Sequence, residues 1–187
     1  MRLVFLGPPG AGKGTQAKRV AERLSIPAIS TGDIFRSNVG SGTELGLLAK
    51  QYMDKGEYVP DSVTNDMVRA RLAEPDTANG FLLDGYPRTT AQLEVLDAIL
   101  AELGRPLDAA LELTVDADEV VQRLLRRAQI EGRADDTEDV IRRRMQVYTE
   151  QTAPLTHVYA EHGLLRRVDG MGGMDEVTDR IVKALEG

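Results

Sequence analysis

A glycine-rich segment at residues 7–15, GPPGAGKGT, constrains the fold of this chain more than any other feature. It follows a short apolar run at residues 3–6 and precedes a helical stripe of apolar residues at 17–24. In such a strand-to-helix loop, glycines let backbone N–H groups turn inward around an anion, and Lys13 adds a positive charge. The segment has the GxxxxGK core, but the Thr15 hydroxyl comes one position late, which weakens the case for its direct coordination of magnesium. We interpret the segment as a phosphate-binding loop rather than an ordinary glycine-rich turn.

Further short apolar runs recur along the chain, each bounded by turn residues and followed by a helical pattern. They lie at residues 81–83, 109–115 and 164–168, with a weaker candidate at 26–30. Leucines at helical spacing in residues 93–103 follow a candidate N-cap at Thr89 or Thr90. Strands that alternate with helices predict an α/β fold whose parallel sheet is covered on both faces. A length of 187 residues fits one domain.

Two regions interrupt this rhythm. About fifty residues without a strand pattern separate the second and third strand candidates, and a short polar segment at residues 128–135 precedes a long helix that starts near Thr137. Both are expected at the carboxyl edge of the sheet, where open α/β folds bind ligands. Pro154 should end or kink the long helix, with Thr152 as a candidate cap for its continuation.

The composition excludes several functional classes. The chain has no cysteine, so it has neither disulfides nor a cysteine zinc site, and this fits a reducing compartment. Its first apolar run is too short for a secretory signal or a membrane span, so we expect a soluble, cytoplasmic protein without a membrane partner. A net charge of −7 argues against nucleic acid as a partner.

Seven of the 18 arginines lie between residues 123 and 144. Arginine suits bidentate contact with phosphate, so a small polyanion is one interpretation, and a solvated helix face is the other. On a helix, Arg144 would lie beside the apolar stripe that contains Ile141 and therefore needs an anionic partner. Arg142 and Arg143 would turn away, which predicts solvated surface positions for both.

Asp84 ends the third apolar run, and Arg88 follows four residues later. An aspartate there can hold magnesium near phosphates, usually through water, or can simply form a turn. An arginine just past the carboxyl end of a strand points toward the ligand crevice, which favours the first interpretation.

The motifs GPPGAGKGTQ at 7–16, STGD at 30–33, DGYPR at 84–88 with Gln92, and RADD at 133–136 resemble the adenylate kinase family in order and spacing. The resemblance covers essentially the whole chain. It implies a P-loop NTPase-type three-layer α/β fold with a five-stranded parallel sheet.

The resemblance also divides the chain into parts. It implies a mobile AMP-binding insertion at residues 30–59, a short mobile lid at 126–136, and a core formed by 1–29, 60–125 and 137–187. The short lid lacks the longer bacterial insertion that carries a four-cysteine zinc site in some relatives, so no structural zinc is expected.

Site residues carry over position by position. The resemblance implies that ATP is bound by Gly10, Ala11, Gly12, Lys13, Gly14, Thr15, Arg127 and, through its main chain, Gly172. It implies that AMP is bound by Thr31, Arg36, Tyr86, Pro87, Arg88, Gln92, Arg133 and Arg144, and by the backbone around Glu57, Tyr58, Val59 and Gly85. The implied catalytic residues are Lys13, Arg88, Arg123, Arg133 and Arg144. Asp84 would hold Mg²⁺ through water.

The implied reaction is reversible phosphoryl transfer from MgATP to AMP, giving two ADP, with a role in adenine nucleotide homeostasis and a monomeric state. Two alternatives remain open at this point. One is a monophosphate kinase acting on UMP or CMP, against which Thr31 and Gln92 argue. The other is a nucleotide-gated switch, which lacks support because the chain has no NKxD guanine motif.

Overall fold

A five-stranded parallel sheet with helices on both faces organises the chain. The computed structural model describes residues 1–133 and 136–187. The strands are β1 (Arg2–Leu6), β2 (Ala28–Ser30), β3 (Phe81–Asp84), β4 (Ala109–Thr114) and β5 (Leu165–Asp169), in the spatial order β2-β3-β1-β4-β5. All neighbouring strands are parallel. The α/β fold and all five predicted strands, including the weaker candidate, are confirmed.

The helices lie in the connections between these strands, except the last one, which follows β5. They are α1 (Lys13–Leu24), α2 (Thr31–Ser41), α3 (Glu44–Met53), α4 (Asp61–Leu72), α5 (Thr90–Glu102), α6 (Ala117–Glu131), α7 (Glu138–Val147), α8 (Pro154–Glu161) and α9 (Met174–Glu186). A 3-10 turn spans Pro75–Thr77 and a π-helical turn spans Tyr148–Thr152. Within residues 1–133 and 136–187, no helix combines the length and apolar composition needed to cross a membrane.

The alternation of β1 divides the core into two layers. Leu3 and Phe5 point to one face of the sheet and pack with α1 and α9. Val4 and Leu6 point to the other face and pack with α4, α5 and α8. Each of these four side chains is at most 2 % exposed, as expected for a central strand of a parallel sheet covered on both sides.

Hydroxyl side chains start three of the helices. Ser30, Thr43 and Thr89 accept hydrogen bonds from backbone N–H groups in the first turns of α2, α3 and α5 respectively. Each bond satisfies a donor that the helix itself leaves unpaired. Thr89, rather than Thr90, is therefore the cap of α5.

Two local predictions were wrong. Residues 128–131 continue helix α6, which ends in a left-handed conformation at Gly132, so the predicted polar segment is shorter at its start. Its Ala134 and Asp135 lie outside the described residues. Thr152 does not cap a helix. Pro154 occupies the first turn of α8 as expected, but a π-helical turn joins α7 to α8, and the Thr152 hydroxyl donates to the carbonyl oxygen of Arg88.

The parallel arrangement places the carboxyl ends of all strands at one edge of the sheet. The phosphate loop follows β1, and residues 85–89 follow the neighbouring β3. Their side chains and N–H groups therefore open onto one crevice, where α2, α3 and the α6–α7 region also meet.

Two glycines in neighbouring helices provide a test of the packing between α2 and α3. A Cβ on Gly46 would lie 2.1 Å from the carbonyl oxygen of Asn38, whereas a Cβ on Gly40 would meet nothing within 4 Å. We expect Gly46→Ala to lower the free energy of unfolding by about 1–3 kcal/mol, because the backbone of α2 must move. Gly40→Ala should raise it by up to about 1 kcal/mol through helix propensity. Urea unfolding of both variants checks this pair, and equal effects of both substitutions would contradict the described packing.

Candidate active site

The phosphate loop presents the N-terminus of α1 to the crevice. Gly12 occupies the N-cap and no side chain caps the helix, so its first N–H groups are available to an anion. The Lys13 ammonium donates to the carbonyl oxygens of Gly7 (2.7 Å) and Pro8 (3.0 Å). Burial, with nearby arginines, lowers the pKa of Lys13 to about 8, against the opposing effect of Asp84. A phosphate placed here would raise this pKa again and favour the charged form of the lysine.

Helix α6 packs directly on this loop. Gly10 has a positive φ of 82°, and a Cβ there would lie 2.9 Å from Leu124 Cγ. The guanidinium of Arg123 donates to the carbonyl oxygens of Ala11 (3.4 Å) and Gly170 (3.2 Å) and to Glu119 (2.8 Å). Arg123 therefore joins α6, the phosphate loop and the β5–α9 loop.

A single carboxylate gathers three arginines on the other wall. The Asp136 side chain is fully buried and accepts two hydrogen bonds from Arg127, at 2.6 and 2.7 Å. Arg144 donates to it at 2.6 Å, and Arg133 Nε lies 3.7 Å away. Arg133 also lies 4.0 Å from Glu131, so the three guanidinium groups are oriented by acidic side chains of the same region.

Arg88 lies between the phosphate loop and this cluster. Its backbone N–H donates to Gln92 Oε1 (2.7 Å), and its Nε donates to the carbonyl oxygen of Gly85 (2.8 Å). Gly85 has a φ of 84°, and a Cβ on it would lie 2.7 Å from Thr31 Oγ1 and 2.8 Å from Arg88 Nη2. Only glycine fits here, because a side chain would be both strained and in collision with the arginine.

Buried polar residues form the floor beside Arg88. Thr31 is 2 % exposed and donates to Gly85 O at 2.9 Å. Gln92 is 1 % exposed, and its amide donates to Asp61 at 2.8 Å while its oxygen accepts from Arg88. Both side chains keep unused hydrogen-bonding capacity toward a ligand.

Two cavities open along the crevice and share a wall. The first is bounded by the phosphate loop, α2, α3, the 85–92 segment and the π-helical turn, and the second by the phosphate loop, α1, α6 and the cluster around Asp136. Residues that line both are Pro9, Lys13, Gly32, Arg36, Arg88, Arg133 and Arg144. Five of these seven residues are cationic, so the two cavities meet where an anion is best stabilised.

The predicted site residues separate between the two cavities. The second cavity alone is lined by the predicted ATP residues Gly10, Gly12, Gly14, Thr15 and Arg127, and by Arg123 and Asp84. The first alone is lined by the predicted AMP residues Thr31, Glu57, Tyr58, Val59, Gly85, Pro87 and Gln92. Arg36 faces both and pairs with Asp33 at 2.6 Å.

Three predicted residues are not brought to the cavity walls. Tyr86 is fully buried and its hydroxyl donates to Asn65 at 2.7 Å, so it packs in the core beneath the site. Ala11 belongs to the phosphate loop, but its side chain is buried in the core. Gly172 lies in the β5–α9 loop, near the contact that Arg123 makes with that loop.

The prediction for Arg143 was wrong, and other site residues were missed. Arg143 is half-buried and pairs with Glu57 at 2.6 Å, whereas Arg142 is a surface residue as expected. Phe35, Met53, Tyr148 and Thr152 line the first cavity but were not predicted. Tyr148 and Thr152 carried only helical signals in the sequence, namely an apolar stripe and a nearby proline.

The fold and the crevice place the chain in the class of P-loop proteins, with a phosphate loop after the first strand and two cavities that share a cationic wall. The sequence model of the adenylate kinase family matches residues 5–164. The chain is 66% identical to an adenylate kinase of Nocardioides sp., over 100% of this chain and 97% of that protein.

Two further relatives are equally complete in their match. An adenylate kinase of Kocuria rhizophila is 62% identical over 99% of this chain and 98% of its own length, and one of Thermobifida fusca is 59% identical over 100% and 98%. The chain belongs to the adenylate kinase family. Its activity is phosphoryl transfer from ATP to AMP, and the pyrimidine kinase and switch alternatives are not favoured.

The role of Asp136 can be tested against a carboxylate two residues away. Asp136→Asn keeps the shape but removes the charge that neutralises the arginines, so we expect the free energy of unfolding to fall by about 1.5–3 kcal/mol. Glu138→Gln also removes a carboxylate, but Glu138 and its partner Arg142 are 74% and 75% exposed, and its effect should stay within error. Urea unfolding without nucleotide measures both, and equal losses would contradict the proposed role of Asp136.

Proposed function

We propose that AMP occupies the first cavity and MgATP the second, and that the phosphoryl group passes between them at the shared wall. The observation that carries this proposal is the separation of the predicted AMP and ATP residues into two cavities with common cations. Lys13 and Arg88 lie on that common wall, where donor and acceptor phosphates would be in line. Alignment and charge neutralisation are the main requirements of phosphoryl transfer.

The acceptor phosphate needs no protein base, because its second pKa is about 6 and it is ionised at neutral pH. The chain's own residues then have two tasks. The phosphate oxygens are bound and oriented by the cations of the crevice, namely Lys13, Arg36, Arg88, Arg123, Arg127, Arg133 and Arg144. His157 is exposed, lies 3.3 Å from Glu161 and lines neither cavity, so it takes no part.

The second cavity suits magnesium that arrives with the nucleotide. Within residues 1–133 and 136–187, no group of three His, Asp or Glu side chains could hold a metal ion alone. Asp84 is 8 % exposed and lines the cavity beside Gly14, where it would hold Mg²⁺ through water, with phosphate oxygens as the remaining ligands. The ion supplies charge neutralisation on the donor phosphates.

We also propose that residues 30–59 and the described part of the predicted lid, residues 126–133 and 136, move over a core of 1–29, 60–125 and 137–187. The insertion has a small hydrophobic cluster of its own, centred on Phe35, Ala49 and Val59. In the lid region, Arg127 is held by Asp136 in a bond that a phosphate oxygen could replace. Closure driven by such an exchange would exclude water once both nucleotides are bound.

We propose a cytoplasmic monomer. The absence of cysteine fits the cytoplasm.

The choice of acceptor is tested by a coupled assay that offers AMP, UMP, CMP or no acceptor with MgATP. We expect ADP formation to depend on AMP and to exceed the other three conditions by at least tenfold. The buried amide of Gln92 and the hydroxyl of Thr31 beside the first cavity favour a purine with a matching donor and acceptor edge. Equal rates with UMP would contradict the assignment, and equal rates without acceptor would indicate simple hydrolysis.

Arg88→Ala tests the shared wall. Loss of a transition-state arginine costs about 10³-fold or more in turnover, whereas KM for ATP should change little because the donor is held mainly by the phosphate loop. Arg69→Ala is the control, since Arg69 is an exposed arginine paired with Glu102 away from the crevice. Steady-state kinetics in both substrates measures the effect. Turnover of Arg88→Ala within tenfold of the parent would remove Arg88 from the reaction.

A further inference from the structure

Arg88 is fixed at four points, and two of them involve residues with no assigned side-chain role. Its backbone N–H and its Nε are bound by Gln92 and Gly85, as described above. In addition, Thr152 Oγ1 lies 2.7 Å from the Arg88 carbonyl oxygen, and the guanidinium carbon lies 5.0 Å from the centroid of the Tyr58 ring. The last contact is a cation–π interaction, which holds the guanidinium plane against the ring.

Tyr58 and Thr152 are also bonded to each other, and the direction of the chain of hydrogen bonds is determined. Their side-chain oxygens lie 2.7 Å apart. Because the Arg88 carbonyl oxygen can only accept, Thr152 must donate its one hydroxyl hydrogen to it. Thr152 can then only accept from Tyr58, so the Tyr58 hydroxyl donates to Thr152 and Thr152 donates to Arg88.

Tyr58 and Thr152 come from two different segments, the end of the 30–59 insertion and the π-helical turn. Thr152 ends the π-helical turn, a local widening of the helix that often occurs at functional sites. Tyr58 lies at the end of the 30–59 insertion, and its neighbour Glu57 pairs with Arg143 of α7 at 2.6 Å. The end of the insertion is thereby tied to the α7–α8 region on both sides of Arg88.

We propose that Tyr58 and Thr152 are positioning residues that hold Arg88 in its phosphate-directed orientation and couple that orientation to the docked end of the insertion. The proposal rests on the function of Arg88 proposed above. Tyr58 supports the guanidinium face, and Thr152 fixes the backbone from which the side chain extends. Neither side chain need touch the reacting atoms.

The hydroxyl of Thr152 is tested by Thr152→Val, which keeps the shape and removes both hydrogen bonds. We expect turnover to fall about five- to thirtyfold, which is the effect expected when one or two hydrogen bonds are lost. KM for ATP should stay within about twofold of the parent value. Thr152→Ser should restore turnover to within about threefold of the parent. The control is Thr149→Val, in the same π-helical turn. Thr149 is exposed and its hydroxyl donates to Met145 O at 3.0 Å, so loss of this hydroxyl should leave the kinetics unchanged.

The two contributions of Tyr58 are separated by a pair of variants. Tyr58→Phe keeps the ring under the guanidinium and removes the donor to Thr152, so its loss of turnover should be smaller than that of Tyr58→Leu, which removes both. Tyr58→Leu should reduce turnover at least tenfold. Equal kinetics of Tyr58→Phe, Tyr58→Leu and the parent would overturn the role of Tyr58.

A double-mutant cycle separates positioning from general stabilisation. If Thr152 acts through Arg88, the turnover penalty of Thr152→Val should disappear in the Arg88→Ala background, while any change in Tm persists in both. The proposal is overturned if Thr152→Val lowers turnover by the same factor in the parent and in the Arg88→Ala background. It is also overturned if Thr152→Val changes KM for ATP and KM for AMP equally and leaves turnover unchanged. The parent and Thr149→Val proteins must show AMP-dependent ADP formation: failure there rejects the proposed function itself, whereas active controls with unaffected Thr152→Val and Tyr58→Phe reject only this inference.

Discussion

The crowding of positive charge in one crevice is the constraint on which the rest of the structure depends. Arginines and a lysine from four helices (α1, α2, α6 and α7) and two loops converge there, and in a partly buried site their mutual repulsion is costly. The protein balances it with acceptors of two kinds. Lys13 and Arg123 donate to main-chain carbonyl oxygens, whereas Arg127 and Arg144 share the carboxylate of Asp136.

These internal acceptors lie where phosphate oxygens would compete for the same donors. Such exchangeable bonds keep the cations oriented without a ligand, so little reorganisation is needed when a nucleotide binds. They also place the phosphate loop, α6 and α7 relative to one another. Arg88 differs, because it is bound through its backbone, its Nε and its guanidinium face. Among the described residues, its Nη atoms donate to no protein acceptor, and Arg88 lines both cavities.

The topology of the fold explains why so much could be predicted from local sequence. Each strand is a short apolar run, and the carboxyl ends of parallel strands must meet at one edge, so residues after β1 and β3 were expected to be neighbours. The phosphate loop, Asp84 and Arg88 all follow from that rule. The placement of Arg144 followed from helix periodicity, since Asp136 is the anionic partner that its position required.

The errors concern contacts that local sequence does not determine. The pairing of Arg143 with Glu57 joins residues 86 positions apart, so no helical periodicity could reveal it. Thr152 lies two residues before Pro154 and was therefore predicted as a helix cap, but a π-helical turn directs its hydroxyl to the carbonyl oxygen of Arg88 instead. The end of α6 was placed too early because residues 128–131 carry no apolar stripe, and Gly132 is the actual stop signal.

The central claim is that the crevice holds two nucleotides end to end with their phosphates meeting between Lys13 and Arg88. A crystal structure with a mimic in which two adenosines are joined by five phosphates tests it most directly. The account predicts one adenosine in each cavity, with the pentaphosphate contacting Lys13 and Arg88 and replacing Asp136 as the partner of Arg127. A mimic that fails to bind, or that binds away from Lys13 and Arg88, would contradict the account.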